Sequence, residues 1–277
     1  MRAVPIMIFT IVAAFMGFFV WKNYPEVYAW AKDTIFFSKI STLELRYTAE
    51  AIMKDHKKEL LADKNHSFLE ADLEFHPYLL MEVKYNRTKD KTAEGVILWS
   101  LMDGEMVLDT KSWEKSHGFF DCLEARADRE DFKVINALAK HGSMDIEDLA
   151  KKLRVEPDVL QIWLEKSRKK NLIVQSGNEY RLHLQNPKLL MIPETKIGQW
   201  FVSKASKVTN RLARRYRAAQ VISIAKSAFG LDFTIRKTTE VFLPVHRIAV
   251  QNPDGSEMMT YWNALNGQKF SQTYHME

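Results

Sequence analysis

An unbroken apolar run opens the chain and limits what it can become. From Ala3 to Trp21 no residue is charged, and Thr10 is the one strongly polar side chain. As a helix rising about 1.5 Å per residue, the run spans roughly 28 Å, close to the hydrocarbon thickness of a bilayer. A helix apolar on every side needs apolar surroundings all round. Residues 1–21 are therefore expected to form a transmembrane anchor. Trp21, Tyr24, Tyr28 and Trp30 follow, and such rings favour the headgroup zone, where the apolar body and polar tip are both satisfied. Residues 22–42 are expected to be an interfacial aromatic linker. Ala29-Trp30-Ala31 also fits a small-x-small cleavage pattern, so a removable signal peptide is the alternative. Arg2 precedes the run, whereas Lys22, Lys32, Lys39 and Arg46 follow it. Positive-inside counting then predicts a single-pass membrane protein with its body in the cytoplasm.

The remaining length of this 277-residue chain allows about two domains. Hydrophobic residues at 46% and charged residues at 27% are values of a globular body rather than a disordered one. The single cysteine, Cys122, excludes an intrachain disulfide and a thiolate zinc cluster. A net charge of +5 suits anionic lipid or nucleic acid and decides between neither. No two histidines stand three or four residues apart. No His-Glu-x-x-His, Gly-rich phosphate loop or Gly-x-Ser-x-Gly elbow occurs. Neither catalytic residues, metal ligands nor cofactors are expected.

The middle of the chain reads as three helices and a two-stranded hairpin. Phe132, Val134, Ile135, Leu138 and Ala139 form one helical apolar face, closed by His141-Gly142. Ser143 or Asp145 can cap a second helix with Ile146, Leu149 and Leu153 inside. Pro157 suits the first turn of a third helix reaching about Lys170. Leu172-Ile173-Val174 and Tyr180 to Leu184 flank the turn Ser176-Gly177-Asn178. Asp131 to Leu184 resembles the winged-helix superfamily, and the domain is placed at 121–185. The resemblance implies that the third helix is the recognition element, as in members that bind DNA. Its outward residues here are Glu156, Asp158, Val159, Ile162 and Trp163. Two carboxylates near its N-terminus repel phosphates, and base-reading Arg or Asn is missing. Val159, Ile162 and Trp163 instead make a protein-contact patch, unless Trp163 is simply core. Lys166, Arg168, Lys169 and Lys170 could touch phosphates or complement the helix dipole.

The segments on either side resemble each other at an offset of about 167 residues. Phe75-His76-Pro77 and Phe242-Leu243-Pro244 each begin a strand. Trp99 and Trp262 each precede, by four residues, a hairpin signal, Asp103-Gly104 and Asn266-Gly267. Upstream, Tyr47 to Met53 parallels Tyr216 to Ile222, each opening an amphipathic helix. The expected fold is α+β: an N-terminal transmembrane helix, then two similar helix plus antiparallel-sheet modules flanking a winged helix-turn-helix domain. The modules are placed at 43–120 and 195–277, with a linker at 186–194. The second module, through its helix, hairpin and Trp262 to Gly267 ending, is similar to the PepSY type of small α+β unit. That likeness implies an interaction or inhibitory unit near a membrane.

Thr195 to Leu231 carries Lys196, Lys204, Lys207, Arg211, Arg214, Arg215, Arg217 and Lys226 without one acid. A basic helix leading into the second module is expected here. Beside a bilayer such a stretch favours anionic lipid headgroups; the same charges would serve nucleic-acid phosphates. Two functions follow. One is a membrane-anchored, non-enzymatic scaffold docking a protein partner at the membrane; the other is a membrane-tethered nucleic-acid binder using the basic 166–217 surfaces.

Overall fold

The computed structural model describes residues 40–61, 65–88, 91–198, 203–206 and 210–270. The expected anchor and Trp21, Tyr24, Tyr28 and Trp30 lie outside them. Among the described residues, no helix is long and apolar enough to cross a membrane. The chain is mixed α+β. In order it forms β1 (Ile40–Leu43), α1 (Ala49–Asp55), α2 (Lys57–Leu60), β2 (Ser67–Thr88), β3 (Lys91–Ser100), β4 (Met106–Asp109), β5 (Glu114–Lys115), α3 (Phe119–Glu124) and α4 (Arg129–His141). Then follow β6 (Ser143–Asp145), α5 (Ile146–Leu153), α6 (Pro157–Lys169), β7 (Ile173–Ser176), β8 (Glu179–Leu182), β9 (Ser203–Ser206), α7 (Ala218–Phe229), β10 (Thr234–Gln251) and β11 (Glu257–Asn263).

The two Phe-x-Pro strands, β2 and β10, lie side by side and antiparallel at the centre of the main sheet. Its order runs β5-β4-β3-β2-β10-β1, with β11 also on β10. Phe75 faces Pro244, Pro77 faces Phe242, and His76 faces Leu243. Each signature therefore meets the other head to tail, around a pseudo-twofold axis between His76 and Leu243. A proline inside a central strand ordinarily removes a ladder hydrogen bond. Here each falls where the strand changes neighbours. The outer side of β2 passes from a bridge at Phe75–Arg211 to β3 at Tyr78–Ser100. That of β10 passes from β1 at Phe242–Thr42 to β11 at Val245–Asn263. The missing N–H groups lie in these gaps, while the carbonyls of Pro77 and Pro244 accept from Leu101 N (3.0 Å) and Ala264 N (3.1 Å).

The same symmetry rules the turns, and it corrects the expectation of contiguous modules. Leu101 O accepts from Arg215 N and Tyr216 N, and Ala264 O accepts from Arg46 N and Tyr47 N, all at 2.9 Å. The entry to each helix is thus tied to the hairpin of the other repeat. Gly104 and Gly267 have φ of +73° and +74°, and a Cβ there would come within 2.9 Å of Tyr216 and 3.0 Å of Tyr47. Val221, Ile224 and Ala225 of α7 share a buried cluster with Leu79, Met81, Ile97 and Trp99 of the first hairpin. Ile52 and Leu60 of α1 and α2 share theirs with Ile248, Val250 and Trp262 of the second. The helices are exchanged, so neither 43–120 nor 195–277 is a self-contained module.

The middle unit has the expected helices and hairpin, with β6 added to give a small sheet in the order β6-β8-β7. It shares the first cluster as well. The Phe119 ring stands 4.6 Å from Trp99, 6.2 Å from Phe132 and 6.2 Å from Phe229, joining β3, α4 and α7. Two further expectations change. Residues 186–194 do not form a free linker. Lys188 N donates to His117 O (2.9 Å), and just beyond the stretch Thr195 N donates to Val96 O of β3 (2.7 Å), so it is tied down near both ends. The described part of 195–217 is not a basic helix. Helix starts only at Ala218, because Thr195, Lys196, Arg211 and Leu212 place their backbones beside strands.

Candidate functional site

Pro157 at the start of α6 and Glu156 in extended backbone before it set the helix's N-terminus. Leu160, Leu164 and Ser167 point inward and are buried, which turns Glu156, Asp158, Val159, Ile162 and Glu165 to solvent. Val159 is 44% exposed and Ile162 66% exposed. Trp163 is only partly buried and packs on the main cluster, with Lys133 Nζ 4.8 Å from its ring centroid. It bounds the apolar patch rather than projecting from it.

The basic residues of α6 do not act as one surface. Lys166 pairs with Asp128. Lys170 Nζ lies 2.5 Å from Asp131 and 3.3 Å from Asp128. Asp128 is also the N-cap of α4, in a reciprocal capping box with Asp131, and buried Asp131 accepts from Ser167 Oγ at 2.7 Å. These two lysines fasten α6 to α4. Arg168 bonds Gln175 at 2.9 Å, and Lys169 faces solvent. Burial opposes ionisation of Asp128, but the hydrogen bonds from Lys166 and the Asp131 N–H prevail and hold its carboxyl well below the usual value of 3.8. The stability this gives is present above that usual value and is lost as pH falls through the lower folded one. Asp128→Ala should cost about 1 kcal/mol near neutrality through the lost cap. In thermal melts its deficit against the parent should narrow below about pH 4; an unchanged deficit at pH 3 would contradict this account.

Of the second basic group, Arg211, Arg214, Arg215 and Arg217 lie on the non-helical run into α7. Lys204 lies on β9, and Lys207 is outside the described residues. Arg214 pairs with Glu240 and Arg215 with Glu124, both at 3.2 Å, while Arg217 occupies the N-cap of α7.

Arg214 and Arg215 line a cleft of about 1330 Å³ that the sequence did not disclose. Both repeat turns border it, the first through Asp103 and Glu105 and the second through Asn263 and Gln268. Trp113, Lys115 and Phe270 also line it. Lys115 Nζ bonds Asp103 Oδ2 at 2.5 Å and stands 5.7 Å from the Tyr78 ring and 5.8 Å from the Phe270 ring. Burial would raise the Asp103 pKa, but the Lys115 charge prevails and lowers it. Glu105, 8% exposed, accepts from Ser116 Oγ (2.5 Å), Gly118 N (2.8 Å) and Phe120 N (3.0 Å). Burial nevertheless pushes its carboxyl up, against those bonds. The second turn carries amides, Asn266 and Gln268, at the positions equivalent to these acids. Asp103-Gly104 was legible as a turn. Glu105, Lys115 and Asn263 were not, since nothing local marks them.

Among the described residues no group of three His, Cys, Asp or Glu side chains is placed to hold a metal ion. Cys122 is buried, and desolvation raises its thiol far out of the reactive range. Comparison of the chain with protein-family models, with curated proteins and with solved structures gives no match.

Proposed function

We propose that this chain is a membrane-anchored, non-enzymatic docking protein whose middle unit is a winged-helix module that binds a protein partner through α6. The observation that carries this reading is the outward face of α6. It presents Val159 and Ile162 between Glu156, Asp158 and Glu165, while Lys166 and Lys170 are held by the unit's own acids. A helix laid in a DNA groove needs positive charge and base-reading donors there; this one offers an apolar strip with an acidic border. Its complement is an apolar surface bordered by Lys or Arg. The apolar run from Ala3 to Trp21 supports placing that partner at the same membrane, and Lys22, Lys32, Lys39 and Arg46 after it support a body on the cytoplasmic side.

A photo-crosslinking residue at position 162 of the full chain, in intact cells, tests this. Leu231, 78% exposed, serves as the control position. A discrete adduct is expected from 162, lost when Val159 is replaced by Glu, and absent from 231. The nucleic-acid reading predicts instead no adduct at 162 and a mobility shift of duplex that fades steeply from low to physiological salt. That shift should vanish in the Arg214, Arg215 and Arg217 to Ala variant, and finding it would overturn protein docking.

A further inference from the structure

Five Lys or Arg side chains line the cleft between the two repeat turns, Lys115, Lys188, Arg214, Arg215 and Lys269, against four acids, Asp103, Glu105, Glu114 and Asp121. Three of the acids are already committed, Asp103 to Lys115 at 2.5 Å, Glu114 to Lys188 at 3.0 Å, and Glu105 to Ser116 and the N–H groups of Gly118 and Phe120. The rim bases Arg214, Arg215 and Lys269 pair with Glu240, Glu124 and Glu59, at 3.2, 3.2 and 3.0 Å. None of those three acids lines the cleft. These are exposed pairs, which contribute little and are readily exchanged. A phosphate in the partly enclosed cleft can accept charge-assisted bonds from the same guanidinium groups. The second turn adds no repulsion, because Asn266 and Gln268 replace the acids of the first.

A second observation comes from Asn263, which lines the cleft and is 1% exposed. Its Oδ1 accepts from Leu265 N at 2.9 Å, which settles the orientation of the amide. Its Nδ2 is then a buried donor with no hydrogen-bond partner among the described residues. Buried donors are nearly always paired, and one that is not calls for an explanation such as a ligand acceptor. Apolar surface adjoins it. Phe270 and Trp113 line the cleft, as does Phe120, over which the Arg215 guanidinium stands at 4.9 Å.

We propose that this cleft binds an organic phosphate, its anion held by Arg214, Arg215 and Lys269 and its ester portion lying against Phe120 and Phe270. The chemistry is shared by a phospholipid headgroup and by a free phosphate ester. It goes beyond partner docking at α6 and does not depend on it.

The test is calorimetric titration of the full chain in a maltoside detergent with two probes, inorganic phosphate and glycerophosphoglycerol, the deacylated headgroup of an anionic lipid. Saturable one-to-one binding of glycerophosphoglycerol is expected. Arg214→Gln with Arg215→Gln should weaken it by about tenfold or more, and Lys269→Gln, made separately in case the double variant misfolds, should weaken it in the same direction. Arg236→Gln removes an exposed pair with Glu94 outside the cleft and should leave binding unchanged. Binding of glycerophosphoglycerol alone assigns the site to a lipid headgroup, and binding of both probes assigns it to free phosphate esters. Failure of glycerophosphoglycerol to saturate overturns the proposal, with or without binding of inorganic phosphate, as does binding that the folded Arg214, Arg215 and Lys269 variants retain in full.

Discussion

Cutting the chain between residues 198 and 210 should yield two fragments that do not fold apart and that recover cooperative unfolding when mixed. The first keeps the hairpin of β2 and β3 but loses α7, whose Val221, Ile224 and Ala225 belong to that hairpin's cluster. It also loses β10, which pairs with β2 from Thr234–Lys84 to Gln251–Ser67. The second keeps the hairpin of β10 and β11 but loses Ile52 and Leu60, which cover its Ile248, Val250 and Trp262. Each is left with an unpaired central strand edge and an uncovered apolar face, a combination that favours aggregation over folding. Circular dichroism melts of each fragment and of the mixture measure this. A cooperative transition in fragment 210–277 alone would show the second repeat to be self-contained and the helix exchange to be dispensable.

Phe119→Ala should be among the most damaging single substitutions. Its ring is fully buried and meets Trp99, Phe132 and Phe229 at once. Truncating a core Phe costs about 3–5 kcal/mol, because the transfer loss adds to the cavity left behind. In a body of this size that lowers Tm by roughly 10 °C. The more telling readout is which amides lose protection from hydrogen exchange. One cluster runs from the first hairpin through α7 into α4, α5 and α6, so protection should fall in the main sheet and middle unit together. Ile162→Ala, on the open face of α6, should change Tm little. Protection lost in the middle unit alone would mean that it opens independently.

Much of the local structure was legible because local chemistry decides it. The apolar spacing from Phe132 to Ala139, Pro157 before Leu160, and the turns at Gly177, Gly104 and Gly267 describe what each short segment can do by itself. The likeness of Phe75-His76-Pro77 to Phe242-Leu243-Pro244 was also visible. Its meaning was not, since no property of either segment says that they lie opposite one another. The acid-free run before α7 suggests a helix only when charge is weighed without periodicity; backbone groups at Thr195, Lys196, Arg211 and Leu212 are satisfied by strand neighbours instead. At the candidate sites, helical spacing alone turns Ile162 outward, as the structure has it, whereas no spacing places Arg215 in a cleft. Nothing near Lys166 and Lys170 in the chain shows that Asp128 and Asp131, some forty residues earlier, hold them. Glu105, Lys115 and Asn263 gave no signal, for their importance lies in burial and in partners brought from elsewhere in the chain.

By itself, then, the sequence determined the helices and hairpins of the body, their duplication, and an outward face of α6 poor in phosphate-binding chemistry. Only the tertiary structure decided which helix covers which hairpin. A duplicated chain offers the same apolar interface in two ways, to its own copy or to the other, and residue patterns are identical in both. The exchanged arrangement, with β2 paired to β10, brings both turns to the border of one cleft.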